Sequence, residues 1–347
     1  MVTKVSVATF LQYQQQGIPV LDVRSPGEYK QGHIPGADSF PLFDDQERKE
    51  VGTLYKKAGP EKAFLVGLDY VGKKMSTYVK KASSLRSKSL LLHCWRGGKR
   101  SESMAWLLSQ AGYTCFVLEG GYRAYRTYIR EALESMTNFM VLGGMTGSNK
   151  TGILQEMKKQ GMQVVDLEGL AHHKGSAFGH INEPEQPTTE QFENNLFASV
   201  QRMDPDRLIW LEDESRTIGR VVMPEKFYLH KKLAPLLVLE VPLSSRVDHL
   251  VANYAQINDD YLLNALEKIK KRLGGDRYNK CVHALERKDY HYVAEATLSY
   301  YDKAYSYAIT SGRDLQKIHY LPLENTDPVE GAQKIISWFS DFLGRKE

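Results

Sequence analysis

The chain has 347 residues, of which 42% are hydrophobic and 25% charged, with a formal net charge of +4. That length accommodates two domains with a core each, and that composition excludes wholesale disorder. Three widely spaced cysteines, Cys94, Cys115 and Cys281, exclude a disulfide framework and a CxxC zinc site, so no resident metal is expected. The mild positive charge permits a polyanionic partner without demanding one. Residues 1–10 lack the apolar core of a signal peptide, and no apolar run reaches membrane length. The expectation is a cytoplasmic protein whose thiols stay reduced.

In chain order, residues 18–24 (Ile-Pro-Val-Leu-Asp-Val-Arg) are the first predicted strand, 64–78 a helix, and 90–94 and 115–118 further strands. Gly120-Gly121 then breaks the chain, and 122–136 reads as a helix rich in Arg and Tyr. Strands alternating with helices predict a mostly parallel sheet. A second unit opens at the strand 139–142, with later strands at 164–166, 208–211 and 236–241. Beyond Pro242 the pattern is almost wholly helical. The predicted division is 1–136, with 120–136 as a bridging helix, and 137–347. Internal repeats and low-complexity segments are absent.

The richest stretch is His93-Cys94-Trp95-Arg96-Gly97-Gly98-Lys99-Arg100-Ser101. It lies between the buried-strand run Ser89-Leu90-Leu91-Leu92 and a segment of helical periodicity. Loop amides turned inward at a helix N-terminus suit an anion, and the Cys94 thiolate is the first anion they meet. Arg96, Lys99 and Arg100 add positive charge. The residues expected to do chemistry are therefore Cys94, Arg96, Gly97, Gly98 and Arg100. The common alternative is a buried structural cysteine, which two glycines and three cations beside it disfavour.

Upstream lie Asp22-Val23-Arg24-Ser25-Pro26-Gly27-Glu28-Tyr29 and His33-Ile34-Pro35-Gly36-Ala37. Together with the cysteine loop they resemble the rhodanese domain family, in which the matching cysteine carries a transferable chalcogen as a persulfide. Asp22 and Arg24 are expected to brace the fold, and His33 to make a structural contact. The loop also matches His-Cys-x5-Arg-Ser of cysteine phosphatases, where an arginine such as Arg100 reaches a tetrahedral anion bidentately. The loop alone leaves chalcogen transfer and phosphate-ester hydrolysis both open. A cradle wide enough for phosphate would also take selenophosphate or thiophosphate.

Gly144-Met145-Thr146-Gly147-Ser148-Asn149-Lys150-Thr151 follows a strand and opens a helix, the context of a P-loop. Gly144, Thr146, Gly147, Ser148, Asn149, Lys150 and Thr151 are the expected phosphate-binding residues. Lys150 would contact terminal oxygens, and Thr151 would ligate Mg²⁺ if one is present. Asn149 stands where the pattern has glycine. Asn tolerates left-handed backbone, so the loop survives, though its side chain threatens to crowd the phosphate. Diphosphate binding is favoured over nucleotide hydrolysis.

Two further segments complete the predicted site in the second unit. One is Asp166-Leu167-Glu168-Gly169-Leu170-Ala171-His172-His173-Lys174-Gly175-Ser176, a substrate-contacting loop in which adjacent histidines argue against zinc. The other is Glu212-Asp213-Glu214-Ser215-Arg216, an acidic strand end. Asp166, Glu168, His172, Ser176, Glu212, Asp213, Glu214 and Arg216 are the candidates, against the plain alternative of solvated turns.

A rhodanese domain fused to a P-loop domain carrying D-L-E-G-L-A-x-H-x-G-S-A-F-G and L-E-D-E-S-R-x-I-G resembles the tRNA 2-selenouridine synthase family, as do Ile269 to Gly274 and Arg277-Tyr278-Asn279. The fold implied is α/β: a rhodanese-like parallel-sheet domain, then a P-loop NTPase-like α/β domain with a helical C-terminal part. The resemblance implies a transferase acting on wobble 2-thiouridine of tRNA. It would geranylate the sulfur from geranyl diphosphate, then replace geranylthiol with selenium from selenophosphate. No tightly bound cofactor is implied; a selenophosphate-supplying enzyme is an implied partner. Whether Cys94 carries a perselenide or its loop simply binds selenophosphate stays open. For tRNA, the basic candidates are Arg123 and Arg126 with Tyr125 on the bridging helix, and Lys268, Lys270, Lys271, Arg272 and Arg277. The competing readings are a cysteine phosphatase or sulfurtransferase fused to a P-loop domain, and a catalytically disabled tRNA-binding member.

Overall fold

The computed structural model describes residues 1–175, 179, 183–254 and 258–344. They divide into two compact units, Met1–Ala132 with Glu193–Asn195, and Leu133–Phe192 with Leu196–Glu347. The division falls inside the helix Gly121–Ser135.

The first unit contains five strands: β1 (Val2–Val5), β2 (Val20–Asp22), β3 (Ala37–Ser39), β4 (Ser89–His93) and β5 (Thr114–Leu118). They form one sheet in the order β1-β5-β4-β2-β3, with every pair parallel. Leu90, Leu91, Leu92 and His93 of the central β4 are fully buried, as a run of apolar residues covered on both faces must be. The predicted helix 64–78 is in fact two helices, Pro60–Gly72 and Met75–Ser83. Gly72 is a poor helix former, and Lys74 is drawn aside to Glu47 at 2.6 Å. The helix Asp45–Ala58 and the strands β1 and β3 were not expected; three of the four β1 residues are exposed and leave no apolar run.

In the second unit, β6 (Phe139–Gly144), β7 (Val164–Val165), β8 (Ile209–Glu212), the short antiparallel pair β9 (Thr217–Ile218) and β10 (Val221–Val222), β11 (Leu236–Glu240) and β12 (Ile318–Pro322) follow in turn. The main sheet runs β12-β11-β6-β8-β7, again wholly parallel. All six residues of β6 are buried, so the phosphate loop leaves the sheet from its centre. Trp210 and Phe339 meet edge to face, 5.2 Å apart, in the core beneath it. A separate helical core is built from Leu262, Leu266, Ile269, Cys281, Val293 and Leu298. The tail beyond Pro242 is helical as expected apart from β12, a half-exposed edge strand that ends at Pro322.

Candidate functional site

Cys94 directly follows β4 and is buried, with 3% of its surface exposed. Ser101 Oγ donates to its sulfur at 3.3 Å and lies 3.1 Å from Gly98 O. The loop is held from outside by the helix Gly121–Ser135, whose first amides bond the loop's carbonyls: Tyr122 N to Cys94 O at 2.8 Å and Arg123 N to Trp95 O at 3.0 Å. The approach is so close that side chains cannot enter. A Cβ on Gly121 would lie 2.3 Å from Gly97 N and 2.4 Å from Cys94 O, and one on Gly97 would lie 2.4 Å from Leu118 O. Both glycines also have positive φ.

Arg100 does not stand free to grip an anion. Its NH1 and NH2 donate to Glu28 at 2.6 and 3.3 Å; burial raises the Glu28 carboxyl, and Arg100, the Ser25 amide and Arg48 together hold it below its ordinary range. Arg96 and Lys99 are exposed. Beneath the loop, Arg24 and Asp22 form a fully buried pair at 2.6 Å, with Arg24 also bonded to Gly32 O and stacked over Tyr122. Burial keeps His93 neutral by pushing its pKa down to about 4. His33 stacks on Tyr29, ring centres 4.0 Å apart.

In the second unit the phosphate loop runs from the end of β6 into the helix Lys150–Lys159. Asn149 adopts the left-handed conformation, φ 55 and ψ 36, which glycine would otherwise supply. Its side chain does not hang free in the cradle: Nδ2 donates to Thr326 O at 2.9 Å. Lys150 Nζ bonds Gly144 O at 2.9 Å, and buried Ser148 bonds Met145 O at 2.7 Å. Arg246, paired with Asp302 at 2.9 Å, supports the loop through Thr146 O.

Around the loop opens a pocket of about 900 Å³, lined by Thr146, Gly147, Asn149, Lys150 and Thr151, and by Glu168, Asp213 and Glu214 of the predicted acids. Glu212 lies beneath, 1% exposed. Thr151 Oγ1 is 2.8 Å from Glu168 and 3.0 Å from Glu212, and Glu212 accepts from the Glu168 amide. Burial, followed by the charges of Glu168 and Asp166, raises Glu212 well above the usual carboxylate range. Burial and Glu168 push Glu214 up to about 8. Fully buried Lys231 bonds the carbonyls of Glu214 and Glu212 at 2.6 and 3.2 Å. Among the described residues no cluster of three or more His, Cys, Asp or Glu is arranged to hold a metal ion.

Three predicted site residues do other work. Asp166 caps the helix Leu167–Ala171 by accepting from Gly169 N at 2.6 Å. His172 closes the same helix in left-handed geometry and bonds Glu185 O at 2.9 Å. Arg216 lies away from the pocket, 3.6 Å from Glu225. Ser176 lies outside the described residues. Sequence reasoning missed Tyr228, Lys231, Lys232, Tyr301, Tyr305 and Arg313, which line or underlie the pocket from distant segments that carry no motif.

The tRNA candidates divide similarly. Tyr125 is corrected to a core residue, 1% exposed, because it shares a helix face with buried Tyr122, Ile129 and Leu133. Arg126 is committed to Glu193 and to Asn194 Oδ1. Arg123, Lys268 and Lys271 are exposed, Lys270 pairs with Glu267 at 3.0 Å, and Arg272 and Arg277 reach Tyr300 and Ser299 at 3.3 Å from an exposed surface.

A parallel sheet ending in a cysteine cradle, and a second parallel sheet whose central strand feeds a phosphate loop, define a rhodanese-like domain joined to a P-loop domain. Residues 6–128 match the rhodanese-like domain model, and 137–319 match the model described as the tRNA 2-selenouridine synthase AAA domain. The chain is 35% identical to a tRNA 2-selenouridine synthase of Marinobacter nauticus, over 84% of this chain and 89% of that one. It is 33% identical to the protein of that name from Shewanella loihica, over 86% and 89%. Among solved structures it is similar to the N-terminal domain of an ATP/GTP-binding protein from Clostridium difficile 630, at 37% identity over 37% of this chain and 98% of that chain. The TM-score of that match is 0.35. The chain belongs to the tRNA 2-selenouridine synthase family.

Proposed function

We propose that this chain modifies tRNA in two steps, one at each site. In the second unit the sulfur of wobble 2-thiouridine attacks the first carbon of geranyl diphosphate. The carbon–oxygen bond breaks, diphosphate leaves, and the uracil N3 proton goes to solvent. Lys150 and the loop amides stabilise the charge developing on the leaving group. The S-geranyl group is then a better leaving group than the original sulfur. In the first unit the Cys94 cradle takes selenophosphate; selenium attacks C2, geranylthiol departs, and phosphate is released by water.

The observation that carries this reading is the composition of the phosphate-loop pocket. Its lining combines the phosphate loop with Lys150, which suit a diphosphate, and Tyr228, Leu250, Tyr301 and Tyr307, which suit an apolar tail. The exposed cations Arg123, Lys268, Lys271, Arg272 and Arg277 are the proposed tRNA contacts.

The test is incubation with 2-thiouridine tRNA, geranyl diphosphate and selenophosphate, followed by mass analysis of the nucleosides. Geranylated and then selenated uridine is the expected product pair. Lys150→Ala should stop the first step and Cys94→Ala the second. Unchanged thiouridine with intact tRNA binding would overturn the reading in favour of a binding-only protein.

A further inference from the structure

Arg313 is 7% exposed and lines the phosphate-loop pocket, yet most of its hydrogen-bonding capacity is idle. Its NH2 pairs with Asp213 Oδ1, whereas Nε and NH1 are buried and have no partner. A guanidinium carries five donors, and each one buried without an acceptor is costly. Such a group requires an explanation, and an incoming acceptor is the simplest.

The surroundings hold Arg313 in place for that role. Asp213 is also approached by Lys231 Nζ at 3.7 Å and accepts from the Tyr305 hydroxyl at 3.3 Å. The same hydroxyl accepts from the Gly144 amide, at the head of the phosphate loop, at 2.8 Å. Arg313 is therefore tied through Asp213 and Tyr305 to the loop itself. One carboxylate faces two cations there.

We propose that Arg313 is the second cation of a diphosphate subsite. It donates from its idle nitrogens to one phosphate while the loop amides and Lys150 hold the other, with Asp213 as the positioning residue. The ligand class is a diphosphate ester. This rests on the reading of the pocket given above, and geranyl diphosphate and a nucleoside diphosphate share the chemistry.

The test is calorimetric titration of the full chain with geranyl diphosphate, inorganic diphosphate, GDP and inorganic phosphate. Arg313→Gln should weaken every diphosphate it binds by about tenfold or more, the loss of a charge-assisted bond. Inorganic phosphate, which fills only the loop, should change less than about threefold, a selectivity that a merely structural arginine would not produce. Because Arg313→Gln strands Asp213, the double variant Arg313→Gln/Asp213→Asn is measured beside it and should show the same selective loss with a parental melting temperature. Diphosphate binding at parental strength in either folded variant overturns the proposal. So does an equal loss for phosphate and diphosphate. If the parent binds GDP but not geranyl diphosphate, and the variants lose GDP, the Arg313 assignment stands and the prenyl reading of the pocket falls.

Discussion

Glu28 accepts a hydrogen bond from each terminal nitrogen of Arg100, at 2.6 and 3.3 Å, across 72 positions of sequence. A cysteine phosphatase needs that guanidinium on its substrate. The parent chain should therefore leave aryl phosphates intact; Cys94-dependent turnover of such an ester would restore the phosphatase reading. Glu28→Gln should cost about 1.5–3 kcal/mol in urea unfolding, the range of a hydrogen bond to a charged group. The Glu28 carboxyl titrates below its ordinary 4.5. Its contribution is thus present above that value and lost as pH falls through the lowered one.

Cys94 sits with Ser101 Oγ 3.3 Å from its sulfur. Cys94→Ser should preserve the fold, because the replacement is smaller and can bond the same neighbours. Selenium incorporation should fall by about 10²-fold or more, on the scale of losing a side chain that touches the reacting group, while S-geranyl uridine accumulates. Nucleoside mass spectra read both quantities at once. Loss of both products together would count against two separate sites.

Much of this was legible in the sequence, because the two loops are local. Cys94 to Ser101 and Gly144 to Thr151 each sit between a buried apolar run and a helix, so their positions follow from periodicity. The roles of the residues within them were less legible. Arg100 looked free because its partner lies in a different motif, and Asp166 and His172 looked chemical because capping residues are drawn from the same polar types. The rest of the pocket lining was invisible: Tyr228, Tyr301, Tyr305 and Arg313 converge only through the fold of the second unit. Edge strands such as β12 escaped for a related reason, since half-exposed residues leave no run to detect.

The left-handed backbone of Asn149 and its bond to Thr326 make separable predictions. Asn149→Gly keeps the conformation and loses the tether, so diphosphate affinity should fall by no more than about threefold. Asn149→Ala loses the tether and adds roughly 1–2 kcal/mol of backbone strain. Its affinity should fall by about tenfold, with a lower melting temperature. Titration calorimetry on the pair distinguishes them, and equal effects would mean that the backbone conformation is unimportant.

Glu214 should make diphosphate binding depend on pH. With its carboxyl pushed up to about 8 by burial and Glu168, it is neutral at pH 7 and gains a negative charge as pH rises through that value. Lys150 and Lys231 face it, so the new charge competes with the ligand for the same cations. Affinity should fall as pH rises through about 8 and level off about a unit below it. Glu214→Gln should flatten the profile. The raised pKa also means that Glu214 favours the folded state most below its ordinary 4.5, and that this contribution is lost as pH rises to about 8.

Gly121→Ala should be far more damaging than its size suggests. The new methyl would meet two backbone atoms at 2.3 and 2.4 Å, neither able to move without opening the cysteine loop. A loss of about 3 kcal/mol is expected, the upper range for forcing extra volume into a packed site. Unfolding of Cys94-containing fragments, followed by hydrogen exchange, would locate the damage.

The tether from Asn149 to Thr326 has a consequence for the order in which the protein is made. Synthesis runs from the N-terminus, so the phosphate loop leaves the ribosome long before Arg246, Asp302, Tyr305, Arg313 and Thr326, the residues that hold or complete it. A nascent chain that has displayed the loop still lacks its clamp. Assembly of the proposed diphosphate site is thereby deferred until translation of the second unit is nearly finished, and a chain cut short before Arg313 would display the loop without the residues that hold it.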